Sequence, residues 1–113
     1  MIPPSVRIFA CTEPVDMRRS FDGLAFVAQD RLGHDPLGGA LFVFVNRRAN
    51  RLKVLWFDKN GYCILYKRLH RAVFRLPARG SDGRAGVQIN AAEFGRILEG
   101  VPSSARSRRF RPN

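Results

Sequence analysis

The chain has 113 residues, of which 45% are hydrophobic and 26% are charged. This length and composition are typical of one globular domain and argue against a chain that is disordered throughout. Lysine and arginine number 20 against 9 acidic residues, and the net charge of +11 indicates a polyanionic partner such as nucleic acid.

The basic residues concentrate in the middle of the chain, since residues 41–84 carry 11 of the 20 basic side chains and 2 of the 9 acidic ones. Cys11 and Cys63 are isolated in the sequence, which favours neither a disulfide framework nor a zinc site. No charged leader precedes an apolar run, and the longest apolar run, 41–45, is far too short to span a membrane. We therefore expect a cytoplasmic protein that contacts no membrane.

The N-terminal part predicts a strand followed by a helix. Residues 6–10 have the composition of a short strand. Asp16 is a suitable N-cap, and apolar side chains recur at helical spacing over 17–32 before Gly33 ends the segment. Gly23, in the middle of that helix, costs roughly 1 kcal/mol relative to alanine, which indicates that another group packs closely against it.

The middle of the chain predicts strands at 41–45, 51–58, 62–69 and 72–76. The first of these is apolar at every position, as expected of a strand inside a sheet with both faces covered. Asn60-Gly61 is a strong signal for a two-residue hairpin turn, so the first three strands should form an antiparallel meander. The segment 78–86 is rich in turn residues and is expected to be a flexible loop.

A second helix is marked by its end signals. Asn90 is a suitable N-cap, Glu93 completes a capping box, and apolar residues recur until Val101. Beyond this point the chain has no apolar period and is rich in arginine, which predicts a disordered basic tail over 102–113. We therefore predict an α+β fold for a single domain over 1–101: an antiparallel β-meander of about four to five strands with one N-terminal and one C-terminal helix packed on it.

The hairpin around Asn60-Gly61 carries the strongest signal for a site. With a two-residue turn there, Lys53 lies opposite Arg68 and Arg51 lies opposite His70, so cations line one face while apolar residues line the other. Like charges directly opposite each other destabilise a sheet, and their presence indicates a site for an anion such as phosphate. The alternative is that they are solvated edge charges that protect the sheet from aggregation.

Arg18 and Arg19 fall in the first turn of the predicted helix, where the helix dipole disfavours cations. A phosphate at this helix end would bind both the side chains and the free amides, whereas pairing with Asp16 or Asp22 is the alternative. The full set of predicted nucleic-acid contacts is Arg18, Arg19, Arg47, Arg48, Arg51, Lys53, Tyr66, Lys67, Arg68 and Arg71.

Signals for catalysis are weak. The acidic residues lie in no recognisable metal motif, and turn or capping roles account for most of them. The sequence also lacks a nucleophile elbow, a P-loop and a dinucleotide-binding fingerprint. We predict that the protein is not an enzyme and that it uses no catalytic residue, cofactor, metal ion or small-molecule substrate.

Several spaced blocks of the sequence resemble one protein family. The blocks are PVDMRR at 14–19, FDGL at 21–24, NRR at 46–48, RLKVLWFD at 51–58, YKRL at 66–69 and FRLP at 74–77. In this order they closely resemble the TnpB accessory proteins encoded by bacterial insertion sequences of the sixty-six family, which are distinct from the RNA-guided nucleases of the same name. The resemblance extends from about Val6 to Val101 and implies a helper in transposition that works beside a separate, larger transposase.

The positions that match the family blocks include most of the predicted contacts. They are Asp16, Met17, Arg18, Phe21, Asp22, Gly23, Arg47, Arg48, Arg51, Lys53, Asp58, Tyr66, Lys67 and Arg68. Together with the charge, the resemblance supports the hypothesis of a non-catalytic accessory protein for DNA transposition that binds DNA through the basic hairpin. A module that docks the same basic face on the transposase, without touching DNA, is the alternative.

Overall fold

The computed structural model describes residues 5–78 and 84–103. The strands are β1 (Ile8–Cys11), β2 (Leu41–Val45), β3 (Arg51–Asp58), β4 (Gly61–Arg68), β5 (Ala72–Val73), β6 (Gly86–Ile89) and β7 (Val101–Pro102), and the helices are α1 (Phe21–Asp30) and α2 (Ala91–Glu99). Neither of these two helices is long and apolar enough to cross a membrane. Much of the predicted loop at 78–86, and all of the predicted tail beyond position 103, lie outside the described residues.

Five strands form one sheet in the order β4-β3-β2-β1-β6. β2, β3 and β4 are antiparallel neighbours, so the predicted meander is confirmed, and the fold is α+β as predicted. β1 lies parallel to β2, with α1 in the connection between them, and β6 pairs antiparallel with β1. The prediction contained neither the parallel pair nor β6, because pairing between strands distant in sequence leaves no local signal.

The two helices cover opposite faces of this sheet, as the alternation along β2 shows. Phe42 and Phe44 are buried in one core together with Leu24 of α1. Val43, between them, is buried in a second core to which α2 contributes Phe94. A strand covered on both faces has no solvent-facing position, which explains the uninterrupted apolar run of β2.

α1 begins at Phe21, later than the predicted start beside Asp16. The carbonyl oxygens of Met17 and Arg19 accept hydrogen bonds from the ammonium of Lys53, at 2.8 and 2.7 Å. They are thereby turned toward the sheet and away from the path of a helix, whose carbonyls point along its own axis. The predicted start was therefore wrong, because a side chain from β3 holds this segment in a different conformation.

Gly23 lies in α1 against the side chain of Arg19. A Cβ atom at this glycine would lie 3.1 Å from the Cβ of Arg19, so the predicted close packing is confirmed. Arg19 reaches along the start of the helix, and its Nη1 lies 3.5 Å from the carbonyl oxygen of Gly23.

α2 has the predicted capping box. The Glu93 amide donates to Oδ1 of Asn90 at 2.8 Å, and the Asn90 amide donates to Oε1 of Glu93 at 2.9 Å. Gly100, with a φ of +74°, ends the helix before Val101, which was predicted to belong to it. Val101 instead starts β7, which pairs with β5 in a separate two-stranded sheet. Only β5 remains of the strand predicted over 72–76.

The β3–β4 hairpin differs from the predicted register by two residues. Gly61 is the first residue of β4 and not part of the turn, in which Lys59 takes the left-handed conformation with a φ of +57°. Lys53 therefore lies opposite Tyr66, and not opposite Arg68 as predicted. This register exchanges the predicted Lys53–Arg68 pair for a pair of Arg51 with Arg68, so one like-charge pair remains on this face. A shift of two residues keeps each side chain on the face it had, so cations still share a face with Tyr66.

Candidate nucleic-acid interface

A cleft of about 610 Å³ opens beside the residues that precede α1. One wall is the segment 14–18, the other is the turn that connects β2 and β3, and residues from β3 and β4 complete the lining. We call this feature the arginine cleft. Its lining consists of Pro14, Val15, Asp16, Met17, Arg18, Asn46, Arg47, Arg48, Arg51 and Tyr66.

The turn between β2 and β3 is held from inside by Asn46. Its Oδ1 accepts from the amides of Asn50 and Arg51, at 3.1 and 2.9 Å, and its Nδ2 donates to Oδ1 of Asn50 at 2.8 Å. The main chain contributes a further hydrogen bond from the Ala49 amide to the Asn46 carbonyl, at 2.9 Å. Because the polar groups of the turn bond to one another, the turn has a defined shape and presents Arg47 at its exposed tip.

The opposite wall is fixed to the sheet at two points. The amide of Val15 donates to the carbonyl oxygen of Val45 at 3.0 Å, and the Val15 side chain is buried in the α1-side core. Further along, the ammonium of Lys53 binds the carbonyl oxygens of Met17 and Arg19. Lys53 is only 7% exposed, so its charge serves to position this wall and is not available at the surface.

Tyr66 is held between two cations. The Nη1 of Arg51 donates to its hydroxyl at 2.9 Å, and the Nζ of Lys53 lies 4.7 Å from the centre of its ring. The residue is nevertheless 49% exposed. Tyr66 is therefore an oriented aromatic side chain that remains accessible from the cleft.

The charge of the cleft is only partly neutralised. Arg18 pairs with Asp16, with Nη2 and Oδ2 2.7 Å apart, and hydrogen bonds from the side chain and the amide of Arg18 lower the pKa of Asp16 to about 2. For the other three arginines, Arg47, Arg48 and Arg51, no carboxylate of residues 5–78 or 84–103 lies within 4.0 Å. Four arginines against one carboxylate leave the cleft positive.

Lys67 occupies a different place from the cleft residues. It lies across from Leu52 in the hairpin, on the face covered by α2, and its ammonium donates to the carbonyl oxygen of Leu98 at 2.6 Å. Leu98 is in the last turn of α2, where unpaired carbonyls and the helix dipole favour a cation. The geometry thus separates Lys67 from the arginine cleft by the thickness of the sheet.

Arg19, Arg68 and Arg71, which were also predicted to contact nucleic acid, do not line the cleft. Arg68 is exposed at the end of β4 and pairs across the hairpin with Arg51, which places it next to the cleft but not in its lining. Arg19 is half-buried along α1, and Arg71 is exposed beyond β4 with a φ of +63°. The structure therefore brings together Arg18, Arg47, Arg48, Arg51 and Tyr66 from the predicted set.

Sequence reasoning missed the residues that position the arginines. Asn46 and Asn50 flank the turn at a spacing that allows their side chains to meet, and this spacing was the available signal. Asp16 was considered as a helix cap, an ion-pair partner and a position of the family blocks, and it also lines the cleft. The hydrogen bonds from Lys53 to the carbonyl oxygens of Met17 and Arg19 had no sequence signal, because they join residues far apart in the chain.

A small basic α+β protein with an arginine-lined cleft is the class that these observations define. The chain matches the family model of the IS66 Orf2-like proteins over residues 6–108 and belongs to that family, whose role is associated with the transposition of insertion sequences. It is 39% identical over 97 residues to the uncharacterized protein y4hO of Sinorhizobium fredii. The aligned region covers 86% of this chain and 82% of that protein. It is 34% identical over 103 residues to the uncharacterized protein y4jC of the same organism, covering 89% and 86% respectively. No solved structure matches the chain.

Proposed function

We propose that the protein is a non-catalytic accessory factor in transposition that binds DNA at the arginine cleft. The observation that carries this proposal is the position of Arg47, Arg48 and Arg51. The described part of the chain supplies no carboxylate partner for them, and they lie along a cleft whose two walls are tied to the sheet. A fold that holds cations in place without neutralising them is suited to an external anion.

Phosphate is the anion that this arrangement fits best. The guanidinium group is planar and always charged, and its parallel N–H groups match two phosphate oxygens. Arg47 and Arg48 are exposed at adjacent positions of one fixed turn, so they can contact neighbouring phosphates of a nucleic-acid backbone. Such contacts gain affinity through release of counterions and are independent of sequence.

The cleft replaces the hairpin as the proposed contact surface. β3 is an inner strand, flanked by β2 and β4, so the two hairpin strands do not form a separate ribbon of the kind that enters a major groove. A non-catalytic role is supported by the state of Asp16, the one acidic residue in the lining. With a pKa of about 2 it is a weak base at neutral pH, whereas general bases work best with a pKa near the operating pH.

The proposal is tested by measuring binding to duplex DNA as a function of salt concentration. The log–log slope should flatten by about 0.9 for each phosphate contact that is lost, so Arg47→Ala with Arg48→Ala should flatten it by about 1.8. The matched control is Arg75→Ala with Arg96→Ala, which removes the same charge from an exposed pair on the α2 side. An equal change in both double variants, or binding that does not respond to salt, would contradict the proposal.

Docking on the element's transposase is a second candidate function, and a separate surface favours it. Phe21 and Phe26 of α1 are 45% and 58% exposed, and the exposed carboxylates of Asp22 and Asp30 lie one helical turn to either side of Phe26. Exposed aromatic residues are typical of protein interfaces, and the carboxylates suit a basic partner. DNA binding at the cleft does not account for this surface.

Co-purification with the transposase after nuclease treatment separates the two functions. If α1 docks on the transposase, Phe21→Ala with Phe26→Ala should lose the partner while Arg47→Ala with Arg48→Ala keeps it. Leu37→Ala removes another exposed apolar side chain, which is 55% exposed, and is the control. Loss of the partner on nuclease treatment alone would show that DNA bridges the two proteins.

A further inference from the structure

Tyr66 is arranged as a stacking surface within the arginine cleft. The ammonium of Lys53 lies 4.7 Å from one face of its ring, and Lys53 is 7% exposed, so the ring covers this buried cation. Since Tyr66 is 49% exposed, its accessible area is on the opposite face and the edge of the ring. The hydrogen bond from Arg51 to the hydroxyl fixes the direction in which the ring points. The ring is thus oriented before any ligand arrives.

A fixed aromatic ring with an open face is what single-stranded nucleic acid uses for binding. Each base can stack on an aromatic side chain, whichever base it is. Bases inside a duplex already stack on their neighbours, and reaching them requires extrusion from the helix at a cost of a few kcal/mol. A stacking residue among arginines therefore indicates a ligand whose bases are unpaired.

The shape of the cleft also favours a ligand with unpaired bases. A concave site of about 610 Å³ is within the range of roughly 300–1,000 Å³ that encloses small-molecule-sized ligands. A duplex presents a broad convex surface and would touch only protruding side chains such as Arg47 and Arg48. Arg51 and Tyr66, which line the cleft, can be reached by a group that is small enough to enter it.

We propose that the arginine cleft binds single-stranded DNA, with one unpaired base stacked on Tyr66 and the flanking phosphates on Arg47 and Arg48. This inference rests on the proposed function and names the form of DNA that the site takes. Arg51 holds the ring and also faces the cleft, so it links the stacked base to the phosphate contacts. The fold would thereby favour DNA with frayed or exposed strands over fully paired DNA.

The test compares the full chain with Tyr66→Leu and Tyr66→Phe on two probes, an oligothymidine strand and a duplex of equal length, at one salt concentration. The wild-type protein should bind the single strand more tightly. Tyr66→Leu should weaken that binding by about 5- to 150-fold, the range reported by alanine substitution for stacked bases, and should change duplex binding less than about twofold. Tyr66→Phe keeps the ring and should retain single-strand affinity within about threefold of the wild type.

Two further measurements distinguish unfolding of the Tyr66→Leu variant from loss of stacking. Far-UV circular dichroism and thermal unfolding should show that Tyr66→Leu remains folded, and Tyr66→Phe has lost the same hydroxyl contact to Arg51. A 2-aminopurine base placed in the strand should be quenched on binding to the wild-type protein and to Tyr66→Phe, and not to Tyr66→Leu. Equal losses on both probes in folded Tyr66→Leu, or quenching that survives this substitution, would overturn the inference.

The outcomes also separate this inference from the proposed function. If neither probe binds, DNA binding itself is refuted. If the duplex binds with a salt slope that depends on Arg47 and Arg48, while Tyr66→Leu is neutral on the single strand, DNA binding holds and the stacking site is refuted. Tighter binding of an oligouridine strand than of oligothymidine would overturn the assignment to DNA.

Discussion

The β3–β4 hairpin and the turn before it contain two groups of cations that the fold treats differently. Lys53 and Lys67 point to opposite faces of the sheet, and each ammonium donates to the main chain of a segment packed on that face, Lys53 to two carbonyl oxygens and Lys67 to one. Arg47 and Arg48 are exposed on the turn, without a carboxylate from the described residues within 4.0 Å. The lysines join elements of the fold, whereas the arginines remain available for a ligand.

The difference follows from the chemistry of the two side chains. A lysine ammonium is compact and carries three rotatable donors, so at the end of a flexible stem it can bind two carbonyl oxygens in different directions. A guanidinium is planar and rigid, and it is better matched to planar or tetrahedral oxyanions. A cluster of positive residues in a sequence therefore combines structural and binding roles, and the residue type helps to tell them apart.

The largest effect is expected from Lys53→Met, which keeps the length of the side chain and removes its donors. Hydrogen bonds to charged groups contribute about 1.5–3 kcal/mol each, and some of this is regained when the freed carbonyls meet water, so we expect a loss of about 2–4 kcal/mol in the free energy of unfolding. Urea unfolding measures it. The control Lys59→Met, at an exposed turn position, should stay within about 0.5 kcal/mol of the wild type. Equal unfolding free energies for the two variants would contradict a structural role for Lys53.

A smaller effect is expected from Asn46→Ala, which removes the side chain that holds the β2–β3 turn. We expect a loss of about 1–3 kcal/mol in unfolding free energy and weaker binding to DNA, because Arg47 and Arg48 lose their fixed positions although no charge changes. Asn90→Ala is the matched control, since it removes the N-cap of α2 at a cost of about 1 kcal/mol and lies outside the lining of the arginine cleft. If both variants bind DNA equally well, the shape of the turn is irrelevant to binding.

The start of α1 and the capping box of α2 show which parts of the fold the sequence determines. The meander, the first helix and the capping box of Asn90 and Glu93 were predictable, because hydrophobic period and end signals act over a few residues. The start of α1 was not predictable, because Lys53 captures the carbonyls before it from a distant strand. The parallel pairing of β1 with β2 was missed because it also joins segments that are far apart in the sequence.

The site was predictable in composition and less so in geometry. Arg47, Arg48, Arg51 and Tyr66 were chosen for charge and for the hairpin, and they do meet in one cleft. Lys53 was chosen on the same grounds, but residue type and spacing alone do not show that its ammonium is buried under Tyr66. Charge density along a sequence gives the sign of a surface, and the side-chain partners decide which charges reach it.

Asp16→Asn should increase affinity for DNA by a few-fold. The substitution removes the carboxylate that pairs with Arg18, while the asparagine oxygen can still accept the hydrogen bond from the Arg18 amide. One more arginine becomes available, so the log–log salt slope should steepen by up to about 0.9. Asp30→Asn makes the same change of net charge at the end of α1, outside the cleft, and serves as the control. Equal gains in both variants would show that net charge alone sets the affinity.

The smallest effect concerns the acid stability of the same ion pair. The folded-state pKa of Asp16, about 2, lies below its ordinary value of 3.8, so the contribution of the pair to stability is fully present above about pH 4 and is lost as the pH falls through the folded-state value. Both partners are substantially exposed, with side-chain accessibilities of 91% for Arg18 and 47% for Asp16, so water screens the pair and the contribution is small. The difference in urea midpoint between the wild type and Asp16→Asn should therefore be greatest near neutral pH and should vanish below about pH 2. A difference that persists unchanged at low pH would mean that the carboxylate acts through packing or hydrogen-bond geometry and not through its charge.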